Sequence, residues 1–491
     1  METGKRLHPM TMLVSFIRSL KDVFFIFLIL FVINYSSDAT WVKIGRVLFL
    51  LYLIYKIFAV ILTWLRTTYL LTESSVEWKQ GVFTRKQHHL PYDRVQNVQI
   101  ETPFYLGMFS LTKLTLETGA ENEEASFTFT VITKEEAERI EQILDHYKQQ
   151  EVKEKTAEAT DIEGETSDYK SNEKTIHFNP TKKDILKASV LSFSYLLLIP
   201  LLVSFFDNID ELYDLSNIAK EAYDFLVKSW VLLTTAIIAA IFIMVVFGLI
   251  QTYLRYGRYE ISSDNERIYI RKGVLNEHHF SIRKRNVQAV HIEQSLLKRM
   301  LQIAEVKLIS TGGIDTEDEV NSLYPFLPIN RAYTIIEELL PGYEVKPNME
   351  RLPKKSLIAR LCRIPWFWLI ATATIMIFFP EWWAVSIILF ILTYTARLLD
   401  FYFSGVLIHG ELLQMRTGGF SLTTLITTRE KIIEFNLMQN FITKPFDLAN
   451  IEVTNRGKPI HVQSLEEIPM DMAKRAFVWY TARNPEIEKG A

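Results

Sequence analysis

Residues Trp230–Ile250 read WVLLTTAIIAAIFIMVVFGLI, an apolar run without a single charge. A bilayer core about 30 Å thick needs about 20 residues of helix to cross it. A helix that is apolar on every side over that length is not the surface helix of a soluble domain. The run therefore reads as a membrane span. Just upstream, Ile185–Phe206 is a second apolar run with only Lys187 near one end and Pro200 inside it. Membrane helices tolerate such a proline where neighbours satisfy the backbone. The two runs form a hairpin within residues 184–254. Another lies within 16–66, as Phe16–Tyr35 and Ile44–Trp64. A third lies within 364–397, where Ile364–Pro380 and Trp382–Ala396 flank Glu381. This last pair is short and reads either as two full spans or as a re-entrant hairpin. Both readings return its ends to one side.

The composition fits an alternation of membrane and soluble segments. The chain has 491 residues, 49% of them apolar, and a mean hydropathy of +0.10. Its length calls for several domains. A net charge of -3 argues against a nucleic-acid partner, which would select a basic excess. The single cysteine, Cys362, excludes a disulfide framework or a cysteine metal site within one chain. The N-terminal segment, with Lys5 and Arg6, lacks a small-residue cleavage site and reads as leading into an uncleaved first span.

Lysine and arginine placement sets an orientation. Lys5, Arg6, Arg18 and Lys21 precede or begin the first hairpin; Lys182, Lys183 and Lys187 the second; Lys354, Lys355, Arg360 and Arg363 the third. Arg66, Arg255, Arg258 and Arg397 follow the hairpins, whereas the loop with Asp207, Asp210, Glu211 and Asp214 is acidic. The large segments between hairpins are thus expected in the cytoplasm, as are both termini. Lys56 is the awkward residue within a span. It is either a functional intramembrane group or a lysine near the inner interface that snorkels outward along its alkyl stem.

A repeat follows the hairpins. Gly81-Val82-Phe83, Arg94-Val95-Gln96-Asn97-Val98 and Thr118-Gly119-Ala120 come after the first. Gly273-Val274-Leu275, Arg285-Asn286-Val287-Gln288-Ala289-Val290 and Thr311-Gly312-Gly313 come after the second, offset by 192 positions and then 193. A diverged third copy keeps Gly418-Gly419-Phe420 and Arg429-Glu430-Lys431-Ile432-Ile433 but loses the Val-Gln pair. β-branched residues at short spacing and glycine turns predict strands. Ala137, Ile140, Ile143 and Leu144 predict a closing helix over Lys134–Tyr147, with counterparts over Ala332–Leu340 and Ile468–Tyr480. Six or seven strands and a terminal helix give a small barrel-like α+β domain over 67–148, 255–345 and 401–485. The Glu- and Lys-rich stretch 149–176 reads as a flexible charged linker.

A membrane hairpin followed by a strand-rich domain with these motifs resembles the bacterial pleckstrin-homology-like (PH-like) membrane family, and the threefold repetition resembles its YdbT type. The resemblance implies a multi-pass α-helical protein of the bacterial plasma membrane with three cytoplasmic PH-like domains, each of seven strands in two sheets with a C-terminal helix. It implies a partner of the smaller, one-domain YdbS type or self-association, besides the lipid bilayer. It also implies a link to immunity against membrane-active bacteriocins, and no catalytic residues or cofactor.

The residues offer few sites. His88 and His89 are adjacent, so a strand points them apart, and no carboxylate or cysteine nearby completes a metal set. Arg283, Lys284 and Arg285 with Arg271 and Lys272 form the best basic cluster, read as a contact for anionic headgroups or as a solvated face. Arg94, Gln96, Arg285 and Gln288 read as an interaction surface or, better, as local structure and packing between copies. Phosphate loops, nucleophile elbows and metalloprotease helices are absent from the sequence. The expected function is non-enzymatic: a membrane assembly whose domains bind one another or a partner and contribute to resistance to antimicrobial peptides. The alternative is a transporter or channel component.

Overall fold

A computed structural model describes residues 4–35, 37, 39–82, 84–118, 126–159, 174–192, 230–311, 322–441, 443–457 and 460–483. Pro200, the acidic loop at 207–214, most of the run ending at Phe206, and Phe83, Gly119, Ala120, Gly312 and Gly313 lie outside the described residues. Contacts divide the chain into two units, residues 1–171 with 276–280, and 172–275 with 281–491.

The first unit begins with a strand of two residues, β1 (Lys5–Arg6). The first hairpin follows as α1 (Met10–Asp22), α2 (Phe24–Phe27), a π-helical turn over Leu28–Ile33, and α3 (Thr40–Arg66). The chain then forms β2 (Thr68–Leu71), β3 (Ser75–Gln80) and β4 (Lys86–Pro91). These strands and β1 make one antiparallel sheet in the order β1-β2-β3-β4. Next come β5 (Val95–Thr102), α4 (Phe104–Gly107), β6 (Leu111–Thr118), β7 (Ser126–Thr133) and α5 (Lys134–Ala159). Ala137, Ile140 and Leu144 bury one face of α5 among Tyr69, Trp78, Tyr92 and Phe129. Helix α5 runs on past Tyr147 to Ala159, so the stretch read as flexible from residue 149 begins as helix. Its Glu, Lys, Gln and Ala are good helix formers, and the low hydrophobicity that suggested a linker does not oppose an extended helix.

The second unit repeats this order. Strand β8 (Thr175–Phe178) occupies the end of the supposed linker and precedes α6 (Lys182–Ser192) and α7 (Trp230–Tyr256). Strands β9 (Glu260–Ser263), β10 (Arg267–Lys272), β11 (Glu277–Arg283) and β12 (Val287–Gln294) follow. Helix α8 (Leu296–Met300), β13 (Ile303–Ser310), β14 (Ser322–Pro328) and α9 (Ile329–Leu339) complete the second domain.

The third repeat opens with β15 (Glu350–Arg351) and a hairpin of α10 (Lys354–Cys362), α11 (Trp366–Phe378) and α12 (Trp383–Phe403). Pro380–Trp382, with Glu381, is the turn between its arms. Its domain comprises β16 (Gly405–His409), β17 (Leu412–Thr417), β18 (Leu422–Thr428), β19 (Ile432–Met438), β20 (Leu448–Asn455), β21 (His461–Pro469) and α13 (Met470–Thr481). Among the described residues, three segments are long and apolar enough to cross a membrane: Thr40–Arg66, Lys354–Phe378 and Pro380–Phe403. The second arm of the third hairpin is longer than its uncharged run suggested, because α12 continues through Arg397 to Phe403, whereas the first arm is α11 preceded by the separate helix α10 that holds Arg360.

A feature absent from the sequence reading recurs in every repeat. The strand before each hairpin pairs with the first strand after it, as β1 with β2, β8 with β9 and β15 with β16. In the third repeat Glu350 faces Val406 and Arg351 faces Gly405. In the first, the Trp64 indole Nε1 also donates to the Leu7 carbonyl at 3.0 Å. Both ends of a hairpin are therefore fastened to the same sheet.

Candidate functional site

The repeated motif resolves into one backbone device. Between Val95 and Asn97, Val287 and Ala289, and Ile432 and Glu434, the strand register shifts by one residue. Such a bulge leaves one residue unpaired and sharpens the twist. Gln96, Gln288 and Ile433 are the residues skipped. The third copy therefore keeps the geometry after losing the Val-Gln letters. The motif glycine is also common to all three, with φ of 115° at Gly81, 94° at Gly273 and 127° at Gly418. At Gly418 an added Cβ would lie 1.8 Å from the Ser421 carbonyl oxygen, so only glycine fits this turn.

Arg94 and Arg285 are not equivalent, because Arg94 is third in its short turn and Arg285 second. Arg94 is exposed beside Asp93, and Arg285 is exposed with its carbonyl accepting from Lys431 Nζ at 3.4 Å. Gln96 is half-buried, and its Oε1 has no hydrogen-bond partner. Gln288 is buried at one end of a joint between the second and third domains.

At that joint β12 pairs antiparallel with β18, from Ala289 opposite Thr427 to Gln294 opposite Leu422. The ladder fuses both domains into one sheet in the order β14-β13-β12-β18-β17-β16-β15. Buried polar groups lock it. Thr427 Oγ1 donates to the Gln288 carbonyl at 2.9 Å, and Asn455 Nδ2 donates to Thr427 Oγ1 at 2.7 Å and to the Lys431 carbonyl at 3.0 Å. Gln414, on β17, bonds the connecting segment through both the amide and the carbonyl of Lys346. The His291 and His461 rings stack edge-on with centroids 5.1 Å apart. Burial, and then the neighbouring His461, lowers the His291 pKa from 6.5 to about 4; burial also lowers that of His461.

The basic cluster read from the sequence divides. Lys272 and Arg283 are buried, at 8% exposure each. The Lys284 backbone bonds the Glu266 carbonyl at the start of β10, whereas Arg271 and Lys272 lie at its far end. Burial lowers the Lys284 pKa. An open five-residue headgroup patch is not what these positions form. His88 is half-buried, its Nε2 unpartnered, and His89 is exposed. Among the described residues no group of three or more His, Cys, Asp or Glu is placed to hold a metal. The Lys56 ammonium lies over the Tyr52 ring, 5.5 Å from its centroid. Helical side chains lean toward the N-terminus, so this lysine reaches away from the Arg66 end rather than snorkelling toward it.

Two charged sites escaped the sequence reading. Arg46, within α3, donates to the carbonyls of Leu30 at 3.0 Å, Asn34 at 2.7 Å and Tyr35 at 2.9 Å. It fills the carbonyls opened by the π-helical turn, which a bilayer would leave without water. Arg360 is 3% exposed. It bonds Glu467 Oε2 and pairs with Asp400, both at 2.9 Å, and donates to the Glu466 carbonyl and Ser404 Oγ. Arg363 forks onto Glu466. Glu467 is buried and holds a left-handed φ of 59°. Burial pushes its carboxyl pKa up, against the pull of Arg360 and Arg363. This cluster ties both arms of the third hairpin to β21 and borders a cleft of about 480 Å³ that Arg397 and Gln463 also line. The cleft lining has no histidine or cysteine.

The sequence profile described as "Bacterial PH domain" matches residues 22–148, 214–342 and 359–483. The chain belongs to the bacterial PH domain family. Each match takes in hairpin residues together with the following domain, in agreement with the shared sheet. Over 98% of its length the chain is similar to the UPF0699 transmembrane protein YdbT of Bacillus subtilis (strain 168), at 24% identity and covering 99% of that protein. No solved structure matches. This bacterial PH domain chain is a membrane protein of the YdbT family with its PH-like domain repeated three times.

Proposed function

We propose that this protein is a non-enzymatic, multi-pass assembly of the bacterial plasma membrane. Its PH-like domains and termini lie in the cytoplasm and act as interaction modules, and the protein contributes to resistance to membrane-active peptides such as bacteriocins. One observation carries the reading: the strand before each hairpin pairs with the strand after it. Each hairpin that enters the membrane must then return to the side it left. Lysines and arginines around those ends favour the cytoplasm. The motif residues serve bulges and a domain–domain joint, the use expected of a scaffold. Smaller PH-like membrane proteins are candidate partners. The test is growth inhibition of a deletion strain, with and without the restored gene, across cationic and circular membrane-active peptides. Selective sensitisation that the gene reverses is expected; unchanged sensitivity to every peptide would remove the resistance role.

A further inference from the structure

Inside the chain, β12 gives its outer edge to β18 of the next domain. The strand equivalent to β12 in the third domain is β19, which follows the same short turn and carries the same bulge. The strand equivalent to β18 in the first domain is β4, which precedes that turn. β19 begins the sheet order β19-β20-β21 and β4 ends the order β1-β2-β3-β4, so each has one outer edge without a strand among the described residues. Uncovered edges are templates for pairing unless they are blunted. β19 instead exposes Ile433 at 51% and Met438 at 45%, with Phe441 at 84% just beyond. It carries the exposed Glu434 and no lysine or arginine, whereas β4 and the turn before it carry Arg85 and Lys86.

We propose that β19 of one copy pairs antiparallel with β4 of a second copy, continuing between molecules the join that β12 and β18 make within one. The occupant follows from the edge itself. A bulged β19 needs the third strand of a PH-like domain with its outer side uncovered, and this chain carries that strand as β4. The contact is head-to-tail, so neighbouring molecules in one membrane form a row or a closed ring rather than a symmetric pair. The inference stands on the repeat geometry and is independent of the resistance reading.

The internal ladder also sets the register. Glu293 faces Thr423 there. Counting from the bulge, Glu293 corresponds to Met438; counting back from the turn, Thr423 corresponds to Lys86. Facing residues in such a ladder lie about 4.5–5.5 Å apart between Cα atoms, within reach of a disulfide.

The experiment uses full-length chains carrying Cys362→Ser. One differently tagged copy carries Met438→Cys and the other Lys86→Cys, and the two are co-expressed and mildly oxidised in membranes. The expected result is a disulfide joining the two tags. It should be lost when His89→Cys replaces Lys86→Cys, and the extracted particles should have at least twice the mass of one chain. An in-register pair that stays reduced overturns the proposal. So does equal cross-linking of both pairs, or capture of a different polypeptide by the Met438→Cys copy.

Discussion

Thr427 is a single hydroxyl on which a domain boundary depends. It is fully buried and bridges the Gln288 carbonyl to Asn455. Thr427→Val keeps the shape and removes both bonds. Leaving buried groups unpaired costs about 1–3 kcal/mol each. Thermal unfolding of the extracted protein should fall accordingly, and a loss below a few tenths of a kcal/mol would refute the bridge. His291 makes the same boundary pH-sensitive. Its folded pKa, about 4, lies below the ordinary 6.5. The unfolded chain therefore takes up the proton first as pH falls. Stability is fully present above pH 6.5 and is lost as pH drops from there toward about 4, by up to about 3 kcal/mol. His291→Phe should flatten that part of the stability–pH curve relative to the unsubstituted protein; parallel curves would exclude the effect.

The hairpin and its domain meet through Arg360. Arg360→Met strands the buried Glu467 carboxylate, and breaking a buried pair in this way costs about 3–5 kcal/mol. Adding Glu467→Leu should restore most of the loss in denaturant or thermal unfolding; a double variant as weak as the single would show that other groups carry the connection. What the sequence made legible at this scale follows from periodicity. Trp230–Ile250 and the face of Ala137, Ile140 and Leu144 announce helices because many residues repeat one pattern. Lys5–Arg6 and Glu350–Arg351 announce nothing, because strands of two residues have no alternation and their partners lie across a whole hairpin. The third copy was legible as a diverged repeat, but its bulge was hidden for another reason. Its bulge survives with Ile433 where Gln96 and Gln288 stand, so backbone geometry persisted after the side-chain motif was gone. Among the site residues, Gln288 was legible as a repeated letter. Arg46 and Arg360 were not, since a charge near a span end looks like an interface residue until its carbonyl or carboxylate partners are seen.

For the whole molecule, orientation is the first quantity to measure. With Cys362→Ser as background, Tyr35→Cys between the arms of the first hairpin and Met108→Cys on the first domain are both 77% exposed positions. A membrane-impermeant thiol reagent should label Tyr35→Cys in intact cells and Met108→Cys only after permeabilisation. Labelling of Met108→Cys in intact cells would invert the proposed topology. The fused sheet of the second and third domains gives this level its rigidity, because a ladder such as β12 with β18 cannot hinge without breaking several bonds together.

The pairing of β15 with β16 has a consequence in time. The ribosome releases Glu350 and Arg351 before the third hairpin is made, and Gly405 and Val406 after it. The sheet that joins them can close only once the intervening helices have been made and their ends brought back together. Completion of each domain thus reports that the two ends of the preceding hairpin have been brought together. A copy whose hairpin stalls would leave a short strand unclaimed, for the cell's proteases to find.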